Sequence, residues 1–591
     1  MILIYPPVAK PCEPPAGIAK LCGALNHRGV KYSVLDANLE GLLSLLKIPP
    51  TSLDTWTSRA FRHLPRHLAS LNGWDAYRDD GRYRRAIRDL DRLLEMTARS
   101  NRVRLSLANY EHEELSPARS SDLVRAAENP EDNPFYPYFR RRLTDLLQSE
   151  QPSMIGFSLN YLSQALCTFA MIGFLRRECP GVKLVLGGGL VTSWMRRPHW
   201  RNPFEDLVDH LVAGPGEASL LSLTGVNLVR NSSRCDSKPS GALNPARRAS
   251  RGEAGAGIIL KCDPAAEQWA FAAPKWLRPR RRGIISNGVK DLKGRSEKRS
   301  GNDHYRPNYD SLPIRDYFAP GPILPYSSSS GCYWNKCSFC PERAEGNPYI
   351  AIPVEEVIHD LLHLVDKQKP VLIHLLDNAI SPSLMKEISE HPPGVPWYGF
   401  ARITRHLTDL DFCMALKRSG CVMLKLGLES GDQTVLDSLQ KGINLAEASS
   451  ALRNLKKAGI ATYVYLLFGT PPEGLVEARR TLEFVVKHHD CIGFLNLAIF
   501  NMPIYGPEAQ QMETKTFYEG DLSLYTSFDH PKGWNRQWIR QFLDKEFKRH
   551  PPIAAILRRD PPVFTSNHAP FFCDEFQICH PTAPPFSKEG N

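Results

Sequence analysis

Three cysteines sit close enough together to share one ligand. Cys332, Cys337 and Cys340 fall in the segment SSSSGCYWNKCSFCPE with the spacing Cys-x4-Cys-x2-Cys. Thiolates are the usual ligands of iron–sulfur clusters, and this spacing lets a single loop wrap one face of a 4Fe–4S cube. The loop offers one thiolate fewer than the cube has iron atoms, so one iron is left open to a substrate or cofactor. That asymmetry separates a catalytic cluster from an electron carrier held by protein ligands alone. Zinc is the alternative. A zinc site wants four protein ligands, or three and a water, and no second Cys-x2-Cys or His pair lies nearby to close one.

A loop of this kind has to be carried by regular structure. Strands are expected at 323–328, 371–376, 397–402, 422–428, 461–468 and 491–499, with helices between them at 353–366, 408–418, 432–440, 445–458 and 473–487. Six β/α repeats over 306–510 predict a partial barrel, and the active sites of such barrels lie at the carboxyl ends of the strands. The cysteine loop follows the first strand. Asp377 and Arg402 end the second and third, pointing into the cavity.

Residues 1–224 also read as α/β. Strands at 2–5, 32–36, 154–160, 183–189 and within 207–217 alternate with helices at 17–26 and 162–177, which predicts a doubly wound, Rossmann-like parallel sheet. Residues 40–150, polar with Arg and Leu at helical spacing, read as a helical insertion. Ligands of doubly wound sheets sit beyond the carboxyl ends of the strands. Ser158, Asn160, Gly187, Gly188, Gly189, Gly214 and Gly216 fall there. Residues 511–591 form a C-terminal extension, helical at 534–548 and proline-rich afterwards.

The chain has 591 residues, 42% of them hydrophobic, enough for several domains at about 100–200 residues each. Its 14 cysteines are too few for a disulfide scaffold. Cys413 and Cys421 read as core packing; Cys573, Cys579 and His580 in the tail are one ligand short of a second cluster. The formal net charge of +11 has one source: residues 230–300 hold 17 Lys+Arg against 6 Asp+Glu, and the remainder is neutral. Residues 225–305 therefore read as a disordered basic linker or insertion, a solvated charge run rather than a nucleic-acid site. No apolar run of about 18 residues predicts a membrane span. The N-terminus lacks the features of a signal peptide, which predicts a cytoplasmic protein.

GCYWNKCSFC closely resembles the cluster loop of radical S-adenosylmethionine (SAM) enzymes, whose common spacing is Cys-x3-Cys-x2-Cys with an aromatic residue before the last cysteine. Phe339 matches that aromatic, and the first gap is one residue longer here. The resemblance covers roughly 306–510. It implies that the open iron binds the amino and carboxylate groups of SAM. One electron from the cluster would then cleave SAM to a 5′-deoxyadenosyl radical, which removes hydrogen from an unreactive C–H bond. It also implies that Glu429 and Ser430 of LGLESGDQTVLDSLQKG meet the ribose or methionine group. Gly469 and Glu473 of LLFGTPPE would border the adenine, Gly469 by close backbone approach and Glu473 while capping the next helix. Asp377 and Arg402 join this set. The Gly-Gly-Glu motif that many members use to hold the SAM amino group is missing.

The N-terminal section resembles the cobalamin-binding domain often fused ahead of this barrel, through LIYPP, VLDAN, IGFSLN, VLGGG and VAGPGE. The resemblance implies a corrin over Ser158, Asn160, Gly187, Gly188, Gly189, Gly214 and Gly216, with the strand ends at 158–160 and 187–189 facing the barrel mouth. The Asp-x-His-x-x-Gly motif that supplies an axial histidine is absent, and His210 reads as a packed strand residue. The implied enzyme transfers methyl groups if cobalamin binds and catalyses a rearrangement or cyclisation if it does not. Its substrate is an unidentified small or lipid-like molecule, and its reductant a flavodoxin or ferredoxin. The rival reading is a non-catalytic iron–sulfur or zinc protein that binds nucleic acid. No catalytic residue beyond the cofactor positions is readable.

Overall fold

The computed structural model of the chain describes residues 1–50, 54–197, 200–225, 304–516, 520–561 and 568–573, together with the backbone of 283–286. Two parallel sheets organise it. The first contains β1 (Ile2–Tyr5), β2 (Ser33–Asp36), β3 (Met154–Ser158), β4 (Lys183–Gly187), β5 (His210–Ala213) and β6 (Gly283–Ser286), in the order β2-β1-β3-β4-β5-β6. Every neighbouring pair is parallel. The strand order reverses between β1 and β3, so the carboxyl ends of these two strands flank the crevice where doubly wound sheets take their ligands.

Between β2 and β3 run the helices Thr55–Leu71, Asp80–Ala98, Ser120–Glu128 and Tyr136–Glu150. Helix 80–98 shows how the sequence dictates this layer. Tyr83, Ile87, Leu90 and Leu94 recur at i, i+3 and i+4 and are buried, and Asp79 caps the helix by accepting from the Arg82 N–H at 3.1 Å. Its apolar stripe joins the same core as Ile4 of β1 and Phe157 of β3, so the insertion is packed onto the sheet.

The second sheet contains β7 (Ile323–Tyr326), β8 (Leu372–Leu375), β9 (Trp397–Ala401), β10 (Cys421–Glu429), β11 (Ala461–Phe468) and β12 (Phe494–Ile499), paired in sequence order and parallel throughout. Consecutive strands joined by helices make the partial (β/α)6 barrel that the alternation predicts. Leu324, Ile373, Trp397, Leu424 and Val464 face the surrounding helices. Ile323, Leu372, Tyr398, Met423, Tyr463 and Phe494 face inward and form an apolar layer, closed by Ala569 and Cys573 from the C-terminal segment. The period-two alternation of strands separates these two sets.

Four features differ from the sequence reading. Residues 283–286, inside the stretch read as a disordered linker, supply the edge strand β6; residues 226–282 and 287–303 lie outside the described residues. A helix at Pro382–Glu390 was not expected, although Ser381 caps it and Pro382 occupies its first turn. The short strands Met502–Pro503, Tyr525–Phe528 and Thr514–Thr516 form a small antiparallel sheet after the barrel. The helix expected at 534–548 is α-helical only over Arg536–Phe542 and widens into a π turn at Leu543–Phe547. The prolines after it start a further helix, Pro551–Arg559, rather than ending one. Among the described residues no helix is long and apolar enough to cross a membrane.

Residues 304–322 lead from the first unit into β7 and tie the two together. The Asn308 N–H donates to the Ala19 carbonyl and the Phe318 N–H to the Pro11 carbonyl, each at 2.8 Å. The Tyr317 hydroxyl donates to Asp36.

Candidate functional site

The cysteine loop lies between β7 and the helix Val354–Gln368, at the carboxyl end of the barrel strands. Cys332, Cys337 and Cys340 are all free thiols, with Cys337 buried and the other two half-buried. The loop is held from both sides. Asp377, just past β8, accepts from the Ser328 N–H at 3.2 Å, from its hydroxyl at 2.7 Å, and from the Ser329 hydroxyl. Asn378 Nδ2 donates to the Gly331 carbonyl at 3.2 Å. From the β10 side, Trp334 Nε1 donates to the Gln440 carbonyl at 2.9 Å, and the Ser338 N–H to the Leu439 carbonyl at 3.0 Å. Gly442 adopts φ +65°, and any side chain there would run into the Trp334 ring; only glycine meets both demands.

The charges around the loop suit a cluster. Burial pushes the Cys340 thiol up to about 11, while the backbone N–H groups of Glu342 and Arg343 pull it the other way. Burial also raises Cys337, opposed by the cations Lys441 and Arg402. Metal ligation needs thiolates, so N–H groups and cations beside these sulfurs favour the form that binds iron. The free thiols on one braced loop and the cations beside Cys337 fit an open 4Fe–4S cluster.

Glu429 ends β10 with φ +67°, uncommon for a residue with a side chain, at the point where the register with β11 shifts. Its carboxylate accepts from Lys441 Nζ at 2.7 Å. Gly427 makes room for this pair: a Cβ there would lie 2.6 Å from Glu429 Oε1 and 2.9 Å from Lys441 Nζ. Arg402 donates to the Lys441 carbonyl and covers the Trp334 ring at 4.1 Å. Lys441 Nζ stands 5.6 Å from the centre of the Phe339 ring. Phe339, Arg402 and Glu429 are therefore brought to one wall of the barrel mouth, beside the cysteines.

The other expected SAM positions are arranged differently. Asp377 is engaged by the cysteine loop, as described. The Ser430 hydroxyl is buried against Thr481 at 3.2 Å and accepts from the Asp432 N–H at 3.1 Å, so it faces the helix Leu475–Lys487. Gly469 has φ +81°, and its N–H donates to Glu473, which folds back onto the turn. Glu473 does not cap the next helix. Glu477 does, accepting from the Gly474 N–H at 2.7 Å, because it occupies the third helical position from which a side chain reaches back to the cap. Burial pushes the Glu473 carboxyl up to about 8, and its Oε1 has no hydrogen-bond partner.

In the first sheet, Asn160 pins two strand ends together: Oδ1 accepts from the Gly189 N–H at 2.9 Å and Nδ2 donates to Ser158 Oγ at 3.1 Å. Open space lies above Gly214, and a Cβ on Gly189 would make only ordinary contact, 3.7 Å from Asn160. Gly187 is similarly relaxed, 3.5 Å from Val212, whereas a Cβ on Gly216 would press on Leu21 at 3.2 Å. Gly188 has another role. A Cβ there would collide with the Leu159 backbone, so it lets β4 close onto β3 and adds nothing to an open surface. His210 is the first residue of β5, at the end opposite the glycines, and cannot serve a ligand at the carboxyl ends.

The first unit touches the segment after the cysteine loop through the helix that follows β4. Arg196, just past the helix Gly189–Met195, donates to the Glu345 carbonyl behind the cysteine loop at 2.9 Å. Tyr161, just past β3, is 56% exposed, and burial of its hydroxyl with the charges of Glu13 and Cys12 holds it above the ordinary range.

Residues missed by the sequence reading include Trp334 and Lys441. Within the barrel, His374 on β8 and Lys425 on β10 form a chain with Glu13 from the loop after β1. Burial pushes the Lys425 ammonium down to about 7. The signal was present: VLIHLL and VMLKLGL each place one ionisable residue inside an apolar strand, and buried charges are rare without a reason. Cys413 and Cys421 pack in the core as expected, and Cys573 sits at the barrel floor. Cys579 and His580 lie outside the described residues.

Comparison with known proteins agrees with this geometry. The family model for the Radical SAM superfamily matches residues 326–485. An uncharacterized methyltransferase of Pyrococcus horikoshii is 29% identical over 191 residues, covering 31% of this chain and 40% of that protein. The bacteriochlorophyllide d C-12(1)-methyltransferase of Chlorobaculum tepidum is 26% identical over 175 residues, covering 28% of this chain and 38% of that protein. The matches thus span about two fifths of each relative. Among solved structures, the cobalamin-dependent SAM radical enzyme OxsB, with aqua-cobalamin and SAM bound, has a TM-score of 0.52 at 12% identity over 92% of this chain and 66% of its own. That likeness is one of fold.

Proposed function

The chain belongs to the radical SAM superfamily, and from that premise we propose that it is a cobalamin-dependent radical SAM methyltransferase. The observation that carries the reading is the meeting of two half-sites. Open space lies at Gly189 and Gly214, and Arg196, after the helix that Gly189 starts, bonds to Glu345 beside the loop of Cys332, Cys337 and Cys340, so the two half-sites would face one another. The relatives named as methyltransferases, and the cobalamin and SAM held together by OxsB, support it.

Cys332, Cys337 and Cys340 would hold the cluster, which supplies the electron for reductive SAM cleavage when bound. Arg402 and Lys441 stand beside Cys337 and offset the negative charge that such a cluster carries. Glu429, held by Lys441 at the end of β10, would accept hydrogen bonds from the SAM ribose or amino group. That placement offers a grip on the amino group without the missing Gly-Gly-Glu motif. Phe339 packs between this ion pair and the loop. Across the cleft, Gly187, Gly189 and Gly214 would receive a corrin, with Asn160 keeping the β3 and β4 ends in register. No histidine reaches that face from β5, so the corrin would be bound without His210.

Titrating cluster-loaded protein with hydroxocobalamin tests the reading through the corrin absorbance bands. Saturable binding is expected, followed by label transfer from methyl-labelled SAM once a substrate is found. Absence of binding would leave a cobalamin-independent rearrangement or cyclisation enzyme, the reading that the missing axial histidine favours.

A further inference from the structure

The middle of the barrel holds charged groups where an apolar core is expected. Lys425 is 1% exposed. Its Nζ donates to His374 Nε2 at 2.9 Å, and His374 Nδ1 donates to Glu13 at 2.9 Å. The Tyr398 and Phe400 rings flank the ammonium at 4.9 and 5.0 Å, and His374 stacks on Tyr398 at 4.3 Å. An ammonium has three N–H donors, and among the described residues His374 receives the one hydrogen bond found for Lys425.

A second group has the same deficit. His568, from the C-terminal segment, is also 1% exposed. It stacks on Tyr463 at 5.1 Å and meets Phe494 edge-on at 4.6 Å. Neither of its ring nitrogens has a hydrogen-bond partner. Tyr463 is the cross-strand neighbour of Lys425, so the two deficits lie side by side. Buried donors without acceptors are costly and call for a missing partner. Burial first, then the charges of Lys10, Lys425 and Arg84, hold the His568 ring neutral, so one of its nitrogens is a donor. That N–H and the spare Lys425 N–H groups lack an acceptor, Glu13 acting on Lys425 by charge alone.

We propose that Lys425 and His568 form a buried anion site that binds the carboxylate end of the substrate. The proposal rests on the radical SAM reading for the position of the reacting carbon. Lys425 and Gly427 share a face of β10, and the Glu429 carboxylate lies over Gly427 on that face despite the register shift, so Lys425 is at most about 13 Å from Glu429 at ~3.3 Å per residue. The substrate is therefore an elongated carboxylate, with its reacting carbon on the order of 10 Å from the anionic end. Glu13, at the far end of the Lys425–His374 chain, is the one member with appreciable exposure, 18% of its side chain, so the anion would enter past it.

The test uses the full-length, cluster-loaded protein and three probes of equal length: decanoate, decanol and decylammonium. Decanoate should bind at least tenfold more tightly than the other two by calorimetry. Lys425→Met, which keeps the side-chain length, should remove that advantage and leave decanol binding unchanged, and His568→Phe should weaken decanoate alone. Crystals of the wild-type protein soaked in bromide should show anomalous density between Lys425 and His568, a readout independent of how well the variants fold. Equal affinity for the three probes, binding by none of them, preference for decylammonium, or an ordered water that bromide does not displace would each overturn the proposal. Iron content and corrin absorbance are read on the same samples. Failure of the cofactor reading appears there, and failure of the anion site appears in the decanoate titration.

Discussion

Glu473 carries a proton that its unfolded counterpart would lose. Burial lifts its carboxyl to about 8, against about 4.3 in an unfolded chain. Between those values the native state binds more protons than the unfolded state, so stability falls as pH rises from the lower value to the upper and is level above it. Glu473→Gln removes the titration. Its melting temperature relative to wild type should therefore rise between about pH 5 and about pH 8, by an amount worth a few kcal/mol at most. An unchanged difference across that range would mean that Glu473 is ionised. The cysteines make a simpler prediction. Anaerobically reconstituted wild type should carry about four iron and four sulfide per chain. Replacing Cys332, Cys337 or Cys340 singly with Ala should reduce this to a small residue, read by iron analysis and by the electron paramagnetic resonance signal of the reduced cluster. The cysteines and Phe339 were legible because ligand spacing is local in sequence. Lys441 was not, because the turn after the short helix Gln433–Ser438, which folds it back onto Glu429 and the distant Phe339, leaves no spacing signal.

At the scale of elements, the cysteine loop is a span fixed at two ends, to Asp377 beyond β8 and to residues 439–442 beyond β10. Gly442→Val should displace Trp334 and lower cluster retention during gel filtration, while far-ultraviolet circular dichroism stays close to wild type. Across the cleft, Gly189 and Gly188 are adjacent but behave differently. Gly189→Phe fits its own backbone and should block corrin binding in the hydroxocobalamin titration while sparing iron content. Gly188→Ala should lower the melting temperature instead, because its methyl meets the Leu159 backbone. Alternation of strands and helices made both sheets readable from sequence. The short strands at 502–503, 514–516 and 525–528 were not, because two to four residues carry too little periodicity to register.

For the molecule as a whole, the charge distribution and the fold are separable. The net positive charge falls within 230–300, and the described part of that region is one edge strand, β6. Deleting 226–282 while keeping β6 should leave iron content and corrin binding at wild-type levels and weaken any salt-dependent affinity for nucleic acid. Loss of the cluster in a folded deletion would show that the basic region supports the site. The two-unit organisation was legible from β/α patterning. The way the units join was not, since Asn308, Phe318 and Tyr317 make contacts across several hundred residues that leave no local trace.

The closure of the barrel floor by Ala569 and Cys573 has a consequence for isotope bookkeeping. A hydrogen-abstracting enzyme keeps the label of its substrate only while exchangeable thiols, whose S–H bonds a carbon radical can break as it cannot break those of water, stay out of the chamber. Among the described residues, Ala569 and Cys573 of the C-terminal segment pack over the inward layer of the barrel. A chain shortened to end after residue 561 loses that cover and should still load its cluster. In heavy water with a small thiol reductant, whose S–H groups exchange to S–D, its 5′-deoxyadenosine should then gain deuterium above the wild-type level, which mass spectrometry would read directly.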